Sequence, residues 1–212
     1  FYTVDKYKNF YKFDFDKAIL DWPRYGKVTE TPEEIKQYRY NYAALVSMCD
    51  QYLGKILDKM DSLNLWKDTM LIVNTDHGFM LGEHNWWAKL MPHLYNEIVN
   101  TPFFVWDPRI GKKDVRNNCL VQTIDIAPTL LDFFNVPIPK DMQGKSLKNT
   151  IFSNASVREA GLFGYHGSHI HCIDGRYVYM RAPLSDKPFF NYTLMPTNMR
   201  GFFNKEELAK CK

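Results

Sequence analysis

The sequence predicts an α/β domain over residues 1–150 and a small antiparallel β unit over residues 151–212. Three observations lead there. A helical pattern that begins at Thr31 feeds into the apolar run Met70-Leu71-Ile72-Val73, and helix into buried strand is half of an α/β unit. A second apolar run, 101–106, follows a polar loop rich in tryptophan. After Leu147 the apolar residues change from helical to alternating spacing.

Residues 1–30, rich in Tyr, Phe, Lys and Asp without periodicity, are expected to form an irregular segment anchored by aromatics. Thr31-Pro32-Glu33-Glu34 then starts a helix. Thr31 is the N-cap, Pro32 takes the first helical position, and Glu34 closes a capping box. Ile35, Tyr38, Tyr42, Leu45, Cys49, Tyr52, Ile56 and Met60 follow at steps of three and four. At ~3.6 residues per turn they make one buried stripe on a helix of about eight turns. The strand expected at 69–74 has the unbroken apolar centre Met70-Leu71-Ile72-Val73, the pattern of a strand covered on both faces in a parallel sheet. The strand at 101–106 has Pro102 at its start, where a missing N–H is tolerated. A helix is expected near 126–134, with Asp125 or Thr123 as cap and Pro128 in its first turn, ended by Val136-Pro137-Ile138-Pro139. Finally, 169–173 and 176–180 alternate around Asp174-Gly175, which predicts a hairpin with a two-residue turn.

Composition narrows the function classes. With 45% apolar and 16% aromatic residues the chain can bury a proper core. A net charge of +3 is too small to argue for a nucleic-acid partner, and no apolar run approaches the ~20 residues of a membrane span. The chain begins Phe1-Tyr2-Thr3, with neither an initiator Met nor an apolar leader, which predicts a fragment or a processed chain. Cys49, Cys119, Cys172 and Cys211 form no C-x-x-C pair, which gives no support to a zinc or thioredoxin-like site. Four scattered thiols fit a reducing compartment and leave room for one disulfide. Asn154-Ala155-Ser156 and Asn191-Tyr192-Thr193 match the glycosylation acceptor pattern, which matters only in a glycosylating secretory pathway.

The chemistry concentrates in residues 74–89, Asn-Thr-Asp-His-Gly-Phe-Met-Leu-Gly-Glu-His-Asn-Trp-Trp-Ala-Lys. In open α/β sheets, ligands sit beyond the carboxyl ends of strands. Asp76 and His77 stand at that place and offer a carboxylate oxygen and an imidazole nitrogen to one point, with Gly78 allowing a sharp turn. A divalent cation suits that pair. The bland alternative is a capping Asp beside a surface His. Lys89 lies among tryptophans, where an ammonium needs an anionic partner or water. Beside a cation it would complete a positively charged pocket for sulfate or phosphate; otherwise it snorkels over Trp86 or Trp87.

The motif Asp76-His77-Gly78-x-x-Leu81-Gly82-Glu83-His84, then Trp87-x-Lys89, resembles that of sulfatases of the alkaline phosphatase superfamily. Further stretches agree in order: Tyr42-Ala43 with Val46, Asp50, Gly54 and Leu57; Val121 to Leu131, which contains Asp125-Ile126-Ala127-Pro128; Val136-Pro137 followed by Gly144-Lys145-Ser146-Leu147; and Asp174 to Tyr179. The resemblance spans roughly residues 36–181. It implies the C-terminal part of an alkaline-phosphatase-like α/β/α sandwich with a small antiparallel β subdomain. It also implies a Ca2+ ion (Mg2+ or another divalent cation as alternative) held by Asp76 and His77. Lys89 would hold the sulfate ester and steady charge on the leaving oxygen, with His77 a catalytic neighbour. In this family the nucleophile is a formylglycine hydrate, made within Cys/Ser-x-Pro-x-Arg. Its sulfated form collapses to aldehyde and sulfate. The implied partners are a sulfated small molecule or carbohydrate and an N-terminal portion of the same protein.

No Cys/Ser-x-Pro-x-Arg stands in the 212 residues. Cys172-Ile173-Asp174-Gly175-Arg176 has the outer spacing, but Asp174 replaces the Pro and the segment reads as hairpin. The early Asp-Asp strand end that supplies other carboxylate ligands is missing as well, so as an isolated polypeptide the chain is expected to lack turnover. His169 and His93 are candidate substrate contacts. His166, His169 and His171 also form a cluster, with 169 and 171 on one face of a strand. Two other readings stay open: a phosphodiesterase or phosphonate monoester hydrolase of the same superfamily, and a binding module that keeps the fold without the chemistry.

Overall fold

The computed structural model describes residues 26–89, 94–164 and 169–184. Residues 1–25 of the expected aromatic N-terminal segment, His93, His166, Cys211 and the Asn191 triplet lie outside them. In chain order the elements are β1 (Gly26–Lys27), α1 (Pro32–Ser62), β2 (Leu71–Asn74), β3 (Met80–Leu81) and β4 (Trp86–Ala88). There follow α2 (Asn96–Val99), β5 (Phe103–Trp106), α3 (Ile126–Phe133), α4 (Lys148–Ser153), β6 (Gly161–Gly164), β7 (Ile170–Ile173) and β8 (Val178–Arg181). Among the described residues no helix is long and apolar enough to cross a membrane.

Helix α1 starts as its sequence dictates. The Glu34 N–H donates to Thr31 Oγ1 at 3.3 Å, and the Thr31 N–H donates back to Glu34 Oε2 at 2.8 Å. Its first turns pack on the small sheet β1–β4–β3, whose strands are antiparallel. Trp87, 1% exposed, meets Tyr38 edge-on with ring centroids 5.3 Å apart. Its indole N–H donates to Glu30 at 2.6 Å, giving the one polar atom of a buried ring a partner. Phe79 stacks on Tyr42 at 5.7 Å. The other side of β3 rests on α2, through Met80 and Ile98.

The predicted stripe on α1 is buried only in part. Tyr38 and Met60 are buried, and Ile35 and Tyr42 half-buried, whereas Leu45, Cys49, Tyr52 and Ile56 are exposed. Periodicity tells which face of a helix is apolar, not how far along it other elements reach. Here the small sheet covers only the first turns.

The α/β class holds, but the described strands pair antiparallel. β2 runs beside β5 in the register Leu71↔Trp106 to Asn74↔Phe103. An apolar run specifies cover, not direction. The connection between β2 and β5 is occupied by the β3–β4 hairpin and the four-residue α2, with no long crossover helix to bring the chain back parallel. Phe104 on β5 is 66% exposed, so this two-stranded sheet is not covered on both faces either.

Asp125 is not a simple N-cap. It closes a 3₁₀ turn ahead of α3, with Gln122 as the capping residue, and is fully buried. Its carboxylate accepts from the Gln122 N–H at 2.8 Å, the Lys145 N–H at 2.9 Å and both terminal nitrogens of Arg158, one at 2.6 Å. Burial pushes its pKa up, but the Arg158 guanidinium and the two N–H donors outweigh that and hold it below the ordinary carboxylate range. Thr129 Oγ1 donates to the Asp125 carbonyl at 2.6 Å and accepts from the Leu147 N–H at 3.0 Å. Gly144 lies so close to Ile124 that a Cβ would sit 1.9 Å from its carbonyl oxygen. The Gly144-Lys145-Ser146-Leu147 stretch is thus clamped onto the start of α3.

The last sheet has three antiparallel strands in the order β6–β7–β8. Strand β6 escaped prediction because glycine, a poor strand former, stands at both of its ends. The hairpin turn is four residues, 174–177, between the pair Ile173↔Val178. Asp174 accepts the N–H groups of Arg176 and Tyr177 at 2.8 and 2.7 Å, which closes the longer turn. Cys172 sits within β7, so the nucleophile-like spacing around it is strand and turn. Cys49, Cys119 and Cys172 are all free thiols.

Candidate cation and oxyanion site

Strand β2 ends at Asn74, and the chain leaves it into Asp76 and His77. The His77 N–H donates to Asp76 Oδ1 at 2.9 Å. That bond, against desolvation, holds the Asp76 pKa below the ordinary carboxylate range. The side chain is 81% exposed, so the charge stands at the mouth of the loop.

The state of the His77 ring follows from its neighbours. Nδ1 lies 2.8 Å from the Gly78 carbonyl oxygen, which can only accept, so Nδ1 carries the proton. Nε2 lies 2.8 Å from Lys89 Nζ, whose ammonium can only donate, so Nε2 presents its lone pair. That lone pair also faces Asp76 Oδ2 at 3.3 Å. Two acceptors this close, with no proton between them, repel unless a cation joins them. The Lys89 ammonium supplies one positive charge here; Nε2 has a single lone pair, so for His77 and Asp76 to hold a metal ion the ammonium would have to turn away from the ring. A backbone carbonyl on the far nitrogen of a metal-binding histidine is a recurring arrangement. Among the described residues no group of three or more His, Cys, Asp or Glu could hold a metal. This chain offers two donors, a carboxylate and an imidazole.

Gly78 is needed for space rather than for a special φ. A Cβ there would lie 1.8 Å from the Glu97 carbonyl oxygen, against backbone that cannot swing aside. The Gly78 N–H donates to the Ile98 carbonyl at 2.8 Å, pinning the loop to α2. Arg39 reaches from α1 to the Leu81 carbonyl at 2.8 Å and to Glu83 at 3.8 Å, while Glu83 accepts the Leu81 N–H. His84 stacks on Tyr95 at 3.8 Å and faces Glu97 at 3.4 Å, a structural placement.

Asp76, His77 and Lys89 therefore lie together, although twelve residues separate the last two. Lys27 Nζ lies over Trp86, 5.8 Å from the ring centre. His169, partly exposed, stands just ahead of β7 in the three-stranded sheet, and His171 is buried there against Phe163 at 4.8 Å. Sequence reading missed Arg39, which carries no local motif signal, and the left-handed backbone at Ala88.

The sulfatase family profile matches residues 2–136. An N-acetylglucosamine-6-O-sulfatase of Bacteroides thetaiotaomicron is 26% identical over 208 residues, covering 92% of this chain and 35% of that protein. An arylsulfatase of Clostridium perfringens is 27% identical over 182 residues, 82% of this chain and 37% of that protein. Mouse arylsulfatase K is 36% identical over 141 residues, 66% of this chain and 24% of that protein. Among solved structures, one in complex with its substrate D-glucosamine-2-N,6-O-disulfate is 26% identical with a TM-score of 0.64, covering 69% of this chain and 32% of the other. A phosphonate monoester hydrolase from Silicibacter pomeroyi shares the fold, at 24% identity and TM-score 0.64, covering 73% of this chain and 34% of its own. The chain spans about a third of the length of the first two curated relatives.

Proposed function

The chain belongs to the sulfatase family, and on that premise we propose that the whole protein hydrolyses sulfate esters of a carbohydrate to the free alcohol and sulfate. In this reading Asp76 and His77 are two of the ligands of a divalent cation, calcium by family resemblance. Once bound, such an ion polarises the sulfuryl oxygens. Lys89 grips the ester. Its ammonium donates to sulfuryl oxygen and to the bridging oxygen, where charge grows as the S–O bond breaks. Gly78 fixes the His77 tautomer that keeps Nε2 available. The nucleophile, a formylglycine by resemblance, comes from a portion that this chain does not contain. The exposed apolar side chains Leu45, Val46 and Phe104 support that such a portion packs here. His169 is a secondary candidate for touching the sugar.

The observation that carries the reading is the meeting of Lys89 Nζ with His77 Nε2 at 2.8 Å, beside Asp76 at 3.3 Å. A carbohydrate substrate is supported by the names of the relatives, one an N-acetylglucosamine-6-O-sulfatase and one solved with a sulfated glucosamine. The test is steady-state hydrolysis of glucosamine 6-sulfate by the full-length protein. Lys89→Ala is expected to lower kcat/KM by a factor of ~100 or more, the size of a lost transition-state charge contact. A variant as fast as the wild type would remove Lys89 from the site. A wild type that cleaves phenyl phosphonate and not the sugar sulfate would replace the substrate class.

A further inference from the structure

We infer that Ala88 is a positioning residue, whose left-handed backbone turns Lys89 out of the sheet and onto His77. Residues i and i+2 of an extended strand share a face. Trp87 points into the core, 1% exposed and packed on Tyr38. If β4 continued extended, Lys89 would follow Trp87 under α1, where an ammonium has no place. Instead Ala88 adopts φ +67°, in the region that L-residues with a Cβ enter only against steric resistance. Past that turn Lys89 is exposed and its Nζ reaches His77 Nε2 at 2.8 Å.

Two features hold the unfavourable backbone in place. Ala88 is 1% exposed and belongs to the cluster of Tyr38 and Trp87, so its methyl group is locked by packing. It also pairs with Met80, itself fully buried, as the last rung of the β3–β4 ladder. Glycine at this position would meet no steric resistance, but it would populate both signs of φ and leave Lys89 unaimed. The alanine gives one conformation. Strain held by surrounding packing next to a reactive group is a recurring device for fixing geometry.

This inference rests on the reading of Lys89 as the group that grips the sulfate, and the experiment separates the two. In the full-length protein, kcat/KM for a sugar sulfate is measured for Ala88→Gly, Lys89→Ala and the double variant, with Tm as a check of folding. The expected result is a fall of about tenfold for Ala88→Gly in the wild-type background, since loss of aim costs rate. In the Lys89→Ala background the same change is expected to alter the rate less than about twofold, the signature of two residues acting through one contact. Ala88→Val, whose branched side chain disfavours positive φ, is expected to fall to the rate of Lys89→Ala; if it does not fold, the glycine cycle decides. An equal fall for Ala88→Gly in both backgrounds, or no fall in either, overturns the inference and leaves the role of Lys89 standing. A Lys89→Ala protein with the wild-type rate overturns both.

Discussion

Asp76 and Asp125 are both aspartates held below the ordinary carboxylate pKa, and they differ in almost everything else. Asp125 is fully buried, and its two oxygens are taken by the Gln122 and Lys145 amides and by Arg158. Asp76 is 81% exposed; one oxygen accepts the His77 amide while the other faces a second acceptor, His77 Nε2. A carboxylate with a complete inner set of donors is a structural tie. A carboxylate turned toward another lone pair is arranged for something that arrives from outside. The contrast separates the tie between α3 and residue 158, which holds the fold, from the loop that we assign to chemistry.

The largest expected effect on stability breaks the first member of the pair. Asp125→Ala in the full-length protein would leave the largely buried Arg158 guanidinium without its partner, at a cost of about 3–5 kcal/mol, read by urea denaturation. The same tie sets a pH dependence. Because the folded Asp125 pKa is depressed, its contribution is fully present above the unfolded value of about 3.9 and is lost as pH falls through the folded pKa. Asp125→Asn is therefore expected to flatten the acid limb of the stability profile, and a wild-type slope in that variant would count against the tie.

Gly78→Ala sharpens the comparison at the other site. The new methyl group collides with the Glu97 backbone, so the loop must shift, at about 1–3 kcal/mol by analogy with overpacked cores. The shift should also carry away the Gly78 carbonyl that fixes the His77 tautomer. We expect a drop in kcat/KM well beyond what the loss of stability explains, measured at a temperature where the variant is fully folded.

How far the sequence anticipates this molecule depends on the kind of signal. The start of α1 is local chemistry, since Thr31, Pro32 and Glu34 make their own cap, and it was legible to the residue. The closeness of Asp76, His77 and Lys89 was reached through a motif rather than through periodicity, and the coordinates place the three together. Strand direction was not legible, because Leu71-Ile72-Val73 reads alike beside a parallel or an antiparallel neighbour. Nor was the extent of burial along α1, where Leu45 and Ile56 keep helical spacing yet stand 48% and 52% exposed. Arg158 and Asp125 are 33 residues apart with no common pattern, so their pairing belongs to tertiary structure alone. Ala88 was the most hidden, since a left-handed residue announces itself in sequence only when it is glycine or asparagine.

The smallest expected effect on stability is the most informative. Asp76→Asn should change unfolding free energy by less than about 0.5 kcal/mol, as for an exposed side chain whose Oδ1 acceptor for the His77 N–H the asparagine keeps. The direct measurement is calorimetric titration of calcium into metal-stripped full-length protein and its Asp76→Asn variant. If Asp76 and His77 are half of a cation site, wild type binds and the variant binds at least about tenfold more weakly while remaining equally stable. Equal calcium affinity in the two proteins would contradict that assignment.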